Sequence, residues 1–447
     1  MPMQLAELKE KVQAAGVVGA GGAGFPTAIK LAAGADSYII NGAECEPLIF
    51  TAYNILREHM NEVLYSARRV MDAADIRDGY LAIKEHTARR FGFTDRQELE
   101  YGIKVAVLPN VYPMCDEVIL IYQVLGRVVR PGTLPISVGA IVNNVETVLN
   151  LGRALDDIPV TEKWVTVAGN VPESVTLKVR IGTPFKALFQ YLGYTVPDNH
   201  VVLDGGPAMG TIVRWQEAVV TKTTKGILIL PDDIPAVTAK MGDTRRQIDR
   251  ASSVCCQCTL CTEMCPRALL GYDLAPHRTV RSVASTAKDH PEDFLAASSC
   301  CGCGVCDLVA CCQGILPRKV MMQVRADVAA KGMKYQPKGP VEPHEDRDFR
   351  LLPNKRFKAM TGVAQFDRMV ARMREDEFIP EKLSVPLKQH VGAPAQAVVE
   401  VGSQVAAGQM IAQAQKGISA NIHAPVDGKV IRITDKCIEL AIAKKGE

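Results

Sequence analysis

Hydrophobic residues first recur at helical spacing: Leu5, Leu8, Val12 and Ala15 predict a short helix over residues 4–15, packed on its own domain. A near-continuous apolar run at Ser37-Tyr-Ile-Ile40 reads as a buried strand, and residues 135–142, Pro-Ile-Ser-Val-Gly-Ala-Ile-Val, as another. From about residue 160 to 235 the pattern changes to short β-rich runs divided by turn residues, around Trp164–Asn170, Val175–Val179, Val201–Pro207 and Ile227–Leu230, with one helix over Phe185–Leu192. Charge and proline then dominate residues 331–382, as in Gln336-Pro-Lys-Gly-Pro340, which predicts a tether with one helix over 364–374. Short glycine-punctuated strands fill residues 383–445. The expected fold class is multidomain α/β, divided at 1–158, 159–235, 236–330, 331–382 and 383–447.

The remaining segment, 236–330, is dominated by cysteine. Cys255, Cys258, Cys261 and Cys265 stand as C-x₂-C-x₂-C-x₃-C with Pro266 next, which is the ligand run of bacterial ferredoxins. Cys300, Cys303 and Cys306 repeat the x₂ spacing, and Cys311 follows after four residues instead of three. A short loop can wrap three corners of a cubane, so the fourth thiolate comes from elsewhere. In two-cluster ferredoxins the last cysteine of each run serves the other cluster. That rule assigns Cys255, Cys258, Cys261 and Cys311 to one [4Fe-4S] cluster, and Cys300, Cys303, Cys306 and Cys265 to a second. Cys256, Cys301 and Cys312 are surplus, and Cys312 competes with Cys311 as the fourth ligand. A zinc site or a disulfide framework fits this spacing poorly. His277 reads as a packed histidine, and Arg245, Arg246, Arg250, Arg267, Arg278 and Arg281 read as a solvated face.

Composition narrows the classes. A chain of 447 residues with 47% hydrophobic content has ordinary globular cores, and a net charge of +3 argues against nucleic-acid binding. Most of the 14 cysteines fall between Cys255 and Cys312, and the first residues, MPMQLAELKEKV, lack an apolar signal region, so a reducing, cytoplasmic compartment is expected. No apolar run reaches the ~18–20 residues of a transmembrane segment.

Gly19-Ala-Gly21-Gly22-Ala-Gly24-Phe25-Pro-Thr27 precedes the helical pattern of Ala28 to Leu31, a place where backbone N–H groups can approach a phosphate. Asn41-Gly-Ala-Glu44-Cys-Glu46-Pro47 follows the first strand, and Asn143-Asn144-Val-Glu146-Thr147 follows the later one, as at the crevice of an open α/β sheet. With YPMCDEVILIYQVLGR, these segments resemble the NADH-binding flavoprotein subunit of respiratory complex I and the RnfC component of the Rnf electron-transport complex. The resemblance implies a Rossmann-like domain with FMN against Gly19, Gly21, Gly22, Asn143, Asn144 and Thr147. It also implies NAD(H) near Phe25 in a pocket lined by Lys30, Glu44, Glu46 and Glu117, with Asn41 and Tyr112 beside the flavin. Ala20, Ala43 and Cys115-Asp116 depart from the complex I pattern, where Arg, Asp and Gly-Glu stand.

Residues 159–235 resemble the SLBB domain, a ubiquitin-like α+β fold, here a spacer between flavin and clusters. Residues 383–447 resemble the barrel-sandwich hybrid of lipoyl and biotinyl carriers. The turn that would carry the modified lysine reads Lys416-Gly-Ile-Ser419, so docking is the better reading. RnfC proteins place this barrel first. Its terminal position most closely resembles the cobalamin reductases of bacterial microcompartments. This implies a flow of electrons from NADH through FMN and two clusters to a corrinoid or corrinoid enzyme, in a setting that includes microcompartment shell or electron-transfer proteins. The alternatives are an electron-input component of an Rnf-like membrane complex and a non-catalytic iron–sulfur carrier or scaffold.

Overall fold

Four parallel strands form the first sheet in the computed structural model, in the spatial order Ile103–Leu108, Asp78–Lys84, Ser37–Asn41 and Ala140–Asn144. The structure describes residues 3–285, 291–335, 337, 339–367 and 369–442; Gln336, Lys338 and Arg368 of the expected tether lie outside the described residues. Alternate side chains of the strands face opposite layers. Ile40, Leu81, Ile83 and Ile141 meet one core with helices Leu5–Ala14, Thr51–Ala73 and Val145–Leu155. Ile39, Ala82, Ala140 and Val142 meet a second core with helices Glu117–Leu125 and Pro317–Ala330. The cysteine module is therefore packed on the far face of the first sheet.

The strand expected over 135–142 begins only at Ala140. Residues Pro135–Val138 form a 3₁₀ turn, and Gly139, at φ +72, redirects the chain into the sheet. The middle sheet has six strands in the order Arg372–Phe378, Val175–Arg180, Glu162–Gly169, Gly226–Pro231, His200–Asp204 and Thr211–Val213. Helix Phe185–Leu192 covers it with Phe185, Leu188 and Phe189.

Its edge strand corrects the expectation of a helix over 364–374. Arg372–Phe378 runs parallel to Val175–Arg180, and Phe378 stacks on Tyr191 with ring centroids 4.4 Å apart. The charges that made this stretch look like tether are those of an exposed edge, where they discourage pairing with another chain. The helix of this region is Asn354–Thr361, anchored by buried Phe357 and ended by Gly362.

The last strands form a four-stranded and a three-stranded sheet packed as a barrel that shares the first core. It docks on the start of the chain. Val391 N–H donates to Gly24 O at 3.0 Å, and Lys222 Nζ donates to Gly16 O at 2.6 Å and Asn421 O at 2.7 Å. Gly16 sits at φ +68, and a Cβ there would lie 2.3 Å from Asn421 O. Among the described residues no helix is long and apolar enough to cross a membrane.

Candidate redox centre

The glycine loop folds over the start of helix Val145–Leu155. Ala20 N–H donates to Thr147 Oγ1 at 2.9 Å, Gly21 lies against the Asn144 side chain, and Gly22 takes φ +117. Asn144 caps the helix by accepting Glu146 N–H at 3.1 Å, while Asn143, buried, donates to Tyr38 Oη at 3.0 Å. Glycine backbone at the positive end of an 11-residue helix fits an anionic group such as a flavin phosphate.

Beside it opens a cleft of about 430 Å³ that Phe25, Lys30, Glu117, Arg267, Cys300 and Cys301 help to line. Lys30 Nζ and Glu117 Oε1 pair at 2.6 Å. Asp116, the N-cap of helix Glu117–Leu125, pairs with Arg267 Nη2 at 2.8 Å, tying the cysteine module to the first sheet. Arg267 is thus a largely buried bridge, where a solvated charge was expected; its place directly after Cys265-Pro266 was the available signal.

The structure does not bring Glu44 and Glu46 into this cleft. Glu44 accepts Ala52 N–H at 2.9 Å at the start of helix Thr51–Ala73 and pairs with Lys225 Nζ at 2.6 Å. Glu46 accepts the N–H groups of Ala208 and Met209, each at 2.9 Å. Both carboxylates join the middle sheet to the first. Asn41 Nδ2 donates to Cys115 O at 3.1 Å, holding the turn before Asp116. Cys115 N–H in turn donates to Cys45 Sγ at 2.8 Å. Tyr112 reaches the cysteine module: its hydroxyl donates to Cys303 O at 2.7 Å and its ring stacks on Phe357 at 3.8 Å.

The cysteines gather in two cages. Cys265, Cys300, Cys301, Cys303 and Cys306 line one cavity, walled by Arg267 and Arg318. Cys255, Cys256, Cys258, Cys261, Cys311 and Cys312 line the other, together with His277. The extra residue between Cys306 and Cys311 is absorbed in a wide turn, with Cys311 N–H donating to Cys306 O at 3.1 Å. Gln257 and Thr259 adopt left-handed backbone at φ +57 and +62, which lets the first loop wrap its cavity. Cys312 Sγ lies 3.8 Å from Cys256 Sγ and 3.9 Å from Cys258 Sγ. His277 Nδ1 is hydrogen-bonded to Thr262 Oγ1 at 2.7 Å, the role of a packed histidine. Burial pushes the Cys261 and Cys265 thiols up to about 12 and Cys300 to about 11, so these groups hold protons that a metal would displace. All-thiol cages fit iron–sulfur centres.

Known families match three stretches of the chain. Residues 12–153 match the Nuo51 FMN-binding domain, 254–316 a 4Fe-4S dicluster domain, and 372–444 the RnfC barrel sandwich hybrid domain. Cobalamin reductase PduS of Salmonella typhimurium is 38% identical over 98% of this chain and 97% of its own length, and that of Citrobacter freundii 37% over 96% and 95%. The RnfC-type component of the proton-translocating ferredoxin:NAD(+) oxidoreductase complex of Clostridium ljungdahlii is 30% identical over 60% of this chain and 57% of its own. The chain is a multidomain α/β electron-transfer oxidoreductase with an FMN-binding domain and a 4Fe-4S dicluster domain. It belongs to the cobalamin reductase PduS family.

Proposed function

We propose that this protein is an NADH-dependent reductase carrying FMN and two [4Fe-4S] clusters, which reduces corrinoid cobalt to keep a B₁₂-dependent enzyme active in a bacterial microcompartment. The observation that carries the reading is adjacency: Cys300 and Cys301 share a cleft with Phe25, Lys30 and Glu117. The names of the full-length relatives support the acceptor.

Bound FMN supplies conversion between two-electron and one-electron transfer, and iron–sulfur clusters supply the single-electron steps. Gly19, Gly21 and Gly22 present backbone to the flavin phosphate, with Thr147, Asn143 and Asn144 fixing that loop and strand end. Phe25 offers an apolar face to the nicotinamide, and Lys30, oriented by Glu117, offers charge to its phosphates. Cys265, Cys300, Cys303 and Cys306 hold the inner cluster; Cys255, Cys258, Cys261 and Cys311 hold the outer one. Arg267 and Arg318 favour added negative charge at the inner cage. Glu44, Glu46, Asn41 and Tyr112 position the parts around these sites. The middle sheet with its single helix serves as an SLBB-like spacer.

The test is anaerobic. The reconstituted chain is mixed with NADH while flavin bleaching and cob(II)alamin reduction are followed together. Both proceed, and Cys303→Ala slows cobalamin reduction while flavin bleaching continues. A flavin that bleaches with neither nicotinamide would sink the reading. The Rnf relative favours one other reading, an input component of a membrane complex, which predicts recovery with the membrane fraction.

A further inference from the structure

The inner cysteine cage borders a second cleft. Arg267 lines both the cage and the flavin-domain cleft, and Arg318 lines both the cage and another cleft, of about 530 Å³. Strand Thr211–Val213, helix Pro235–Met241 and helix Pro317–Ala330 contribute to its walls, and Asp307 and Leu308, directly after Cys306, line it too. Its volume falls in the range of ordinary small-molecule sites, roughly 300–1,000 Å³.

Its charge is one-sided. Lys240, Arg318 and Lys319 line it with one carboxylate, Asp307; Glu46 near Lys240 and Asp243 near Lys319 lie outside the lining. Lys240 Nζ donates to Ala208 O at 2.7 Å and Gly210 O at 2.6 Å; Arg318 Nη1 donates to Ala208 O at 2.6 Å; Lys319 Nζ donates to Lys240 O at 2.8 Å. Carbonyls orient these cations without neutralising them, and each cation keeps N–H donors to spare. Burial and the neighbouring Arg318 charge push Lys240 down to about 8. Ile212 and Met322, both 38% exposed, add an apolar lip. Fixed cations beside an apolar lip suit an amphiphilic ligand with a phosphate.

We propose that this cleft binds the phosphate-bearing edge of a small-molecule electron acceptor, directly beside the inner cage and apart from the flavin-domain cleft. It deepens the reductase reading and rests on it: with a cobalamin as acceptor, the phosphodiester of the nucleotide loop meets Lys240, Arg318 and Lys319.

The test uses the full chain loaded with FMN and clusters, so that the flavin phosphate site is filled. Pyrophosphate binding is measured by calorimetry, and kcat and KM for cob(II)alamin are measured alongside NADH-driven flavin bleaching, for the wild type, Lys319→Glu and Gln323→Glu. The expected result is at least tenfold weaker pyrophosphate binding in both variants. KM for cob(II)alamin rises by a similar factor, with kcat and bleaching unchanged. Equal pyrophosphate binding in all three proteins overturns the proposal. Weakened pyrophosphate binding with unchanged KM also overturns it, because the anion site is then not the acceptor's. If the wild type reduces no cobalamin yet the variants lose pyrophosphate, the corrinoid reading fails and the phosphate cleft stands.

Discussion

The two cysteine cages are built from matching motifs and placed in opposite surroundings. At the outer cage Cys256, Cys258 and Cys312 are exposed, and nearby Arg250 makes a surface hydrogen bond to Gln313 O at 3.3 Å. At the inner cage Cys303 is buried, Tyr112 clamps its carbonyl, and Arg267 and Arg318 form walls. Spacing sets what a cage can hold; surroundings set what it can exchange electrons with. The inner cage lies beside two clefts of small-molecule size, and the outer one opens to solvent.

That division can be broken most severely at the ligands. Cys303→Ala is expected to lower NADH-driven reduction of every acceptor by about 1,000-fold or more, equivalent to ~4 kcal/mol. Cys258→Ala instead stops transfer to a protein acceptor and spares much of the reduction of a small acceptor; stopped-flow rates with both acceptors check the pair. Next is the anchoring of the inner cage. Arg267→Met leaves Asp116 buried without its partner, and a stability loss of about 3 kcal/mol is expected from denaturant unfolding.

A smaller contrast concerns the iron-free chain at pH 8. Iodoacetamide attacks the thiolate; burial raises the pKa of Cys265 and Cys306, and the Cys301 hydrogen bond together with burial raises that of Cys303, so these remain protonated and react about tenfold or more slowly than exposed Cys256. Raising the pH deprotonates the buried thiols and narrows the gap, which mass mapping of the alkylated sites reads directly. Tyr112→Phe frees the Cys303 carbonyl and should cost about 1 kcal/mol. Arg250→Ala, its outer counterpart, should stay within about 0.5 kcal/mol.

Local chemistry was legible in the sequence. The cysteine runs pointed to thiol-lined cavities, and the glycine loop pointed to a helix start, although the helix beneath it is Val145–Leu155 and not the single turn Thr27–Lys30 that follows it in the chain. Long-range partners were not. Glu44 and Glu46 stand at a strand end where a ligand would be expected, yet their partners are Lys225, Ala208 and Met209, far along the chain. Nothing near residue 44 encodes that pairing. Arg372–Phe378 failed for a related reason: an edge strand borrows its hydrogen bonds from Val175–Arg180, so its own composition shows only charge. Lys222 could be seen to be a lysine, but its burial between Gly16 and Asn421 depends on three separate stretches meeting.

The meeting of barrel and glycine loop also sets an order of assembly. Phe25 and Lys30 leave the ribosome early, whereas Val391, which walls the same cleft and bonds to Gly24, is made most of the chain later. A cofactor arriving during synthesis meets a cleft with one side missing, so secure loading is a property of the finished chain.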